Sequence, residues 1–292
     1  MEPVFDVRLA LGRKLRALKA GDEGAAFLMR RVAEDLAERL STVERRFPRA
    51  AAIFCVTRDA ANAIAHSGKA DHILRVEADR HLLSGGFEGA LAEPETVPLG
   101  AESVDLAVSL LTLQEANDLP GLLVQIRRAL KPDGLFLGAL MGAGTLQELR
   151  QSLLEAEAEL SGGATPRVSP FADLRDAGAL LQRAGFALPV ADVETVTVRY
   201  ATMFDLMRDL RAMGASNALL ERSRRPTPRR LFLRAAEIYQ KRYSDSDGRV
   251  RATFNVVWFS GWAPHESQQK PLKPGSGQVS LKTVLSPGSE EG

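Results

Sequence analysis

The chain has 292 residues, 45% of them apolar, enough for one large core with a modest helical insertion and too little contrast to divide it into independent domains. Basic residues number 38 and acidic residues 37, so the formal charge of +1 excludes the broad positive field expected of a nucleic-acid binder. A single cysteine, Cys55, excludes an internal disulfide framework and a thiolate metal cluster, and no apolar run approaches the roughly 20 residues that cross a bilayer.

The first stretch, MEPVFDVRLALGRKLRALKAG, lacks the uncharged apolar centre of a signal peptide, so a cytoplasmic location is expected. It reads as a basic amphipathic helix with Val7, Leu11, Leu15 and Leu18 on one side. Packing against the domain is the ordinary use of such a helix, and a peripheral membrane contact is the other use left open. From Phe27 to Leu40 the apolar residues Leu28, Val32, Leu36 and Leu40 recur at helical spacing. Residues 1–45 therefore form a helical segment ahead of the main domain, which is expected to run over 46–267.

After Phe47-Pro48 the run AAAIFCV, Ala50 to Val56, has the character of a strand buried on both faces. A helix from Asp59 to Ala65 follows, then strands at His72 to Ala78 and Val104 to Leu113, a helix from Leu119 to Leu130, and a strand from Leu135 to Leu140 after the Lys131-Pro132-Asp133-Gly134 turn. This alternation calls for right-handed crossovers and a mostly parallel sheet, with ligands beyond the carboxyl ends of its strands. The second half predicts helices over Thr145 to Leu160 and Phe171 to Ala184, then an alternating strand over Val193 to Tyr200. Thr202 with Asp205 resembles a capping box and opens a helix through Met213; a further helix runs from Thr227-Pro228 to Tyr243, and an aromatic strand from Val250 to Ala263. Two late strands flanking a helical insertion at about 202–245 fit an antiparallel pair that closes the sheet, with the insertion as a lid. Residues 268–292, rich in Pro, Gly, Ser and Lys, are expected to form a disordered tail.

Several stretches then resemble one family: Asn117-Asp118-Leu119-Pro120, LKPDGLFLGALMGAGTLQELR over Leu130 to Arg150, Ser169-Pro170-Phe171, MFDLMRDLRAMGASNA over Met203 to Ala218, and GWAPHESQ over Gly261 to Gln268. Together with VFDVRLALGRK at the start they make the chain similar, over nearly its whole length, to the complex I assembly factor 5 family, the BioC-like or type 11 methyltransferase-fold proteins, as a bacterial member. The resemblance implies an α/β architecture, the seven-stranded Rossmann-like class I methyltransferase fold with a C-terminal helical insertion. It further implies a role in assembling respiratory complex I, by binding or modifying the iron–sulfur subunit near the quinone site. A eukaryotic relative is described as hydroxylating an arginine there. An active S-adenosylmethionine-dependent methyltransferase or a protein-arginine hydroxylase is the alternative.

S-adenosylmethionine is the cofactor the resemblance implies, and the matching positions put it in doubt. Where a working member has an acid and a glycine loop at the end of the first strand, this chain has Ala52, with Phe54, Val56 and Arg58 in place of the glycines and Cys55 alone retained. Glycines there turn at positive φ and let the backbone approach the cofactor. Phe54 and Val56 instead place side chains where its methionine moiety belongs, and a β-branched residue tolerates positive φ poorly. Glu77 matches the acid that grips the ribose and Glu93 the acid that meets the adenine; both read as lone exposed acids, cofactor positions that are vestigial or plain surface. The family's aromatic-bearing Leu-His-Trp is here Leu113-Gln114-Glu115. Cys55 reads as a small buried hydrophobe, not a nucleophile. His66, His72, His81 and His265 make no ligand spacing, so no metal site is expected and no catalytic residue is assigned. The stretch Glu221 to Arg230, with five arginines, is a solvated loop or a contact for an acidic partner.

Overall fold

A computed structural model describes residues 2–163 and 165–269. In chain order it forms α1 (Val7–Ala20), α2 (Phe27–Thr42), β1 (Arg49–Ile53), α3 (Asp59–His66), β2 (His72–Glu77), β3 (Glu88–Leu91), β4 (Val104–Leu110), α4 (Leu119–Ala129), β5 (Leu130–Met141), α5 (Gln147–Ser161), α6 (Leu174–Arg183), β6 (Ala187–Tyr200), α7 (Met203–Ala212), α8 (Arg229–Tyr243) and β7 (Val250–Trp262). The seven strands make one sheet in the order β3-β2-β1-β4-β5-β7-β6. β3, β2, β1, β4 and β5 pair in parallel, while β7 runs antiparallel between β5 and β6. This is the α/β class I methyltransferase fold the sequence predicts, with α7 and α8 as the insertion between the last two strands.

Alternation along the central strands explains the two-layered core. Ala50 and Ala52 of β1, with Leu106, Val108 and Leu110 of β4, face the helices α2, α3, α5 and α8. Ala51 and Ile53, with Val104 and Ala107, face α4 and α6. Both faces of the parallel strands are covered, which is why those strands read as continuous apolar runs.

The strands differ from the predicted ones where backbone conformation intervenes. β1 stops at Ile53 and not at Val56, because Phe54 and Val56 both adopt positive φ, 52° and 64°. β4 stops at Leu110 for the same reason at Leu111, φ 58°. β6 begins at Ala187, six residues before the predicted start, with a register shift between Ala187 and Val190 around Pro189. β3 has no predicted counterpart: Glu88–Leu91 is short, half polar and largely exposed, and it forms only because β2 offers an edge. Gln268 donates to Asp133, and the expected tail beyond residue 269 lies outside the described residues.

α1 lies over the carboxyl edge of the sheet. Asp6 caps it by accepting from the Leu9 amide at 3.1 Å, and Gly21 ends it at φ 68°. Its amino end is tied at several points. Asn117 Oδ1 accepts the amides of Val4 and Phe5, each at 2.8 Å, and Asn117 Nδ2 donates to the Phe5 carbonyl. Phe5 bridges Leu219, the Asp6 amide donates to the Ala218 carbonyl, and Arg13 donates to the Ser216 carbonyl. Further along, the end of α7 meets α1 so closely that a Cβ on Gly214 (φ 74°) would stand 2.8 Å from Lys14 Cα.

Candidate functional site

The site is built on the carboxyl ends of β1, β2 and β4. At the end of β1 the chain makes two left-handed turns, at Phe54 and Val56, the positions the family reading gives to glycines. A non-glycine residue in that region is strained by about 1–2 kcal/mol, so the surrounding contacts must hold it. They are visible. The Phe54 amide donates to the Val76 carbonyl at 2.8 Å, the Thr112 hydroxyl donates to the Phe54 carbonyl, and the Cys55 amide donates to Glu77 Oε1 at 3.1 Å.

Behind the loop sits a pair that the sequence reading missed. Arg75 and Glu77 share one face of β2 and are each 1% exposed. Arg75 donates to the carbonyls of Ser84 and Thr57, each at 3.0 Å, and to Glu77 Oε1 at 3.2 Å, while its Nε has no partner among the described residues. The guanidinium thus ties the β1 loop and the segment after β2 to the sheet. Burial pushes the Glu77 carboxyl up to about 7, and Arg75 opposes that shift. The i, i+2 spacing of the two charges on a strand was the available signal.

The structure corrects the reading of Glu77 and places Glu93 and Arg58. Glu77 is not an exposed acid: its carboxylate is committed to Arg75 and to the loop amide. Glu93 is exposed and lines neither chamber of the cleft; the acid of that stretch that lines it is Glu95, which also accepts the Asn117 amide. Arg58 does not obstruct the cleft, because it is exposed and its side chain lies along Gly85. Cys55 is fully buried and its thiol is pushed far up by burial, as a structural cysteine's would be. Among the described residues no group of His, Cys, Asp and Glu is arranged to hold a metal.

The cleft itself is divided. An ion pair between Lys14 of α1 and Glu115, together with Val56, stands between two chambers that all three line. The first, of about 90 Å³, is bounded by Phe54, Glu77, Leu82, Pro94, Thr112 and Leu113. The second, of about 400 Å³, lies beneath the carboxyl-terminal half of α1 and is bounded by Leu18, Met29, Leu111, Gln114, Met141 and Met213. Sites for nucleoside-sized ligands run from roughly 300 Å³ upward. The first chamber is where the resemblance would place S-adenosylmethionine, and as built it does not fit that molecule. The glycine cradle's backbone shape persists, but side chains project into the space it would leave.

Comparison with known proteins agrees with the architecture. Residues 75–138 match the family model described as a methyltransferase domain, a span that starts beyond β1 and its loop. The chain is similar to the arginine-hydroxylase NDUFAF5 of Danio rerio mitochondria, 38% identical over 269 residues covering 87% of this chain and 81% of that protein. The Homo sapiens counterpart is 37% identical over 263 residues, covering 87% and 75%. A malonyl-[acyl-carrier protein] O-methyltransferase of Laribacter hongkongensis is 36% identical over 214 residues, covering 70% and 69%. Among solved structures, the YcgJ protein of Bacillus subtilis superposes with a TM-score of 0.53 at 13% identity, covering 80% of this chain and 99% of that one, which speaks to the fold alone.

Proposed function

Since the chain belongs to the arginine-hydroxylase NDUFAF5 family of methyltransferase-fold proteins, we propose that it assists the assembly of respiratory complex I in the cytoplasm by binding or modifying a subunit, without using S-adenosylmethionine in the usual way. The subunit is the iron–sulfur protein near the quinone site. One observation carries the cofactor-free part: Phe54 and Val56 hold the left-handed backbone of a glycine cradle while their side chains line the chamber that a cofactor would need. The commitment of Glu77 to Arg75 supports the same reading, since a carboxylate already paired behind the loop has fewer acceptor positions left for a ribose.

Titration calorimetry of the full chain with S-adenosylmethionine tests the cofactor statement. No saturable heat is the expected result, and micromolar binding would overturn it. A deletion strain tests the assembly statement: assembled complex I should fall, and intact-mass and peptide analysis of the iron–sulfur subunit shows whether an arginine loses a hydroxyl. A fall in assembly with that residue unchanged supports binding alone; full assembly with an unchanged residue removes both roles. The activity for which the relatives are named, arginine hydroxylation, favours the modifying branch over methyl transfer.

A further inference from the structure

The charge of the chain is unevenly spread. Residues 1–20 and 203–230 together hold twelve cations against five carboxylates, while the rest of the sequence holds 26 against 32. The fold brings these two segments together at the carboxyl edge of the sheet: the Asp6 amide donates to the Ala218 carbonyl, Phe5 bridges Leu219, Arg13 donates to the Ser216 carbonyl at 2.8 Å, and Arg222 pairs with Asp6 at 3.3 Å. Burial, and after it the charges of Arg222 and Arg16, lowers the Arg13 guanidinium from its ordinary value, as crowded cations do. A near-neutral chain thus carries one basic face, beside the chambers that Lys14 lines.

Most of that charge is unmatched. Among the described residues the ion pairs of this face are those of Lys14 with Glu115, Arg208 with Asp205 and Arg222 with Asp6, whereas Arg16, Arg211, Arg224, Arg225, Arg229 and Arg230 are exposed and have none. Within α8 the contrast is direct. Arg234 and Arg242 pair with Glu159 and Glu155 of α5, but Arg229 and Arg230 stand in the first turn, where the helix dipole is already positive, with no acidic residue beside them and no side-chain cap. Such a placement costs the fold and favours an anion from outside. The segment is also held ready: the Thr227 hydroxyl accepts from Arg167 at 2.9 Å, and Pro228 keeps an extended backbone at φ −59° and ψ 137°.

The chemistry of the occupant follows from the face. Arginine forks match carboxylates, which they bind through two parallel hydrogen bonds. An extended polyanion such as a nucleic acid would meet the acidic remainder of the chain. A membrane-surface helix needs its apolar side outward, and that of α1 is turned inward, with Val7 and Leu11 in the wall of the first chamber and Leu15 half-buried. We propose that this face docks an acidic segment of the protein on which the chain acts. The identity of that protein rests on the assembly reading above; the chemistry of the face does not.

Fluorescein-labelled octaglutamate, followed by anisotropy with the full chain, should bind saturably at low salt and weaken as salt rises, while labelled octalysine should not bind. Arg224→Ser with Arg225→Ser, and Arg229→Ser with Arg230→Ser, should each weaken octaglutamate binding by about threefold or more. Arg175→Ser with Arg183→Ser, which removes two exposed arginines of α6, should leave it unchanged. The Arg229 and Arg230 variant should keep or raise the thermal midpoint, since the first turn of α8 loses its misplaced charges. In the deletion strain both face variants should restore less complex I than the parent chain or the α6 variant does. Octaglutamate bound equally by all variants would overturn the proposal, as would full restoration by both face variants. Vesicles of phosphatidylglycerol and phosphatidylcholine bound through the same arginines, with octaglutamate unbound, would overturn it in favour of a lipid surface. Face-dependent peptide binding in a chain whose deletion leaves complex I intact would keep the docking face and remove the assembly reading.

Discussion

The two chambers at the carboxyl edge share the same strand ends and differ in who fills them. On one side of the Lys14 and Glu115 pair the protein fills the space itself: Phe54 and Val56 turn into it from a strained loop, and a buried arginine and glutamate brace that loop from behind. On the other side, apolar side chains with several rotatable bonds line about 400 Å³ and no strained residue but Val56 and Leu111 takes part. The lesson is that side chains can occupy a turn of left-handed backbone without unmaking it, provided that buried partners hold the turn. The loop keeps its turn because Arg75 and Glu77 hold it, not because its residues favour it.

The sharpest way to break this contrast is to remove the brace. Arg75→Met leaves Glu77 buried without its partner and frees the carbonyls of Ser84 and Thr57, and at pH 8 it should cost about 3–5 kcal/mol in denaturant unfolding. A loss under about 1 kcal/mol would mean that the loop is held by its own contacts and not by the pair.

A smaller effect follows from protonation. Glu77 has its carboxyl raised to about 7 in the folded protein, against about 4.3 in an unfolded chain, so the native state binds this proton more tightly. The stability it contributes is complete below about pH 4 and is lost as pH rises through about 7, a loss of roughly 3–4 kcal/mol in all, of which about 2.5 kcal/mol falls between pH 5 and pH 8. Denaturation midpoints at pH 5 and pH 8 measure it, and Glu77→Gln should flatten the difference between them. Glu157 works in the opposite window: Arg167 and Thr165 hold its carboxyl down at about 2, so its contribution is present above about pH 4.5 and fades toward pH 2. The two are separable because they act on different sides of the same acid range.

The smallest effect on stability, and the one that sharpens the comparison most, comes from restoring glycines. In Val56→Gly the relief of positive φ offsets the lost side-chain contact, so unfolding should change by less than about 1 kcal/mol. Phe54→Gly with Val56→Gly should enlarge the first chamber, and calorimetry should then detect S-adenosylmethionine where the parent gives no heat. Continued absence of heat in the folded double variant would show that the block lies elsewhere.

Much of the frame was legible from the chain. Apolar runs marked β1, β4 and β5 because these strands are buried on both faces, and the 3.6-residue stripes of α2 and α4 were plain for the complementary reason. β3 was hidden, since Glu88–Leu91 has no apolar pattern and owes its existence to a neighbour. The first residues of β6 were hidden by Pro189 and the register shift. At the site, the sequence placed Phe54 and Val56 where glycines belong but ran the strand through Val56, so the left-handed backbone that both adopt was not legible; it is held by contacts from β2 and Thr112. The burial of Glu77, the outward turn of Arg58 and the division of the cleft were not legible either, because each depends on a partner brought in by the fold: Arg75, Gly85 and, for the division, an α1 lysine meeting a residue 101 positions away.

The anchoring of α1 is uneven along its length. Asn117 fastens Val4 and Phe5, and the stretch around Leu219 fastens Phe5 and Asp6, so the helix is pinned at its amino end to two separate parts of the chain. Its carboxyl end, where Leu18, Lys19 and Ala20 are exposed, carries no such fastening among the described residues. The helix is therefore held over its first two turns, as far as Arg13 and Lys14: the smaller chamber lies under the held part and the larger under the exposed end.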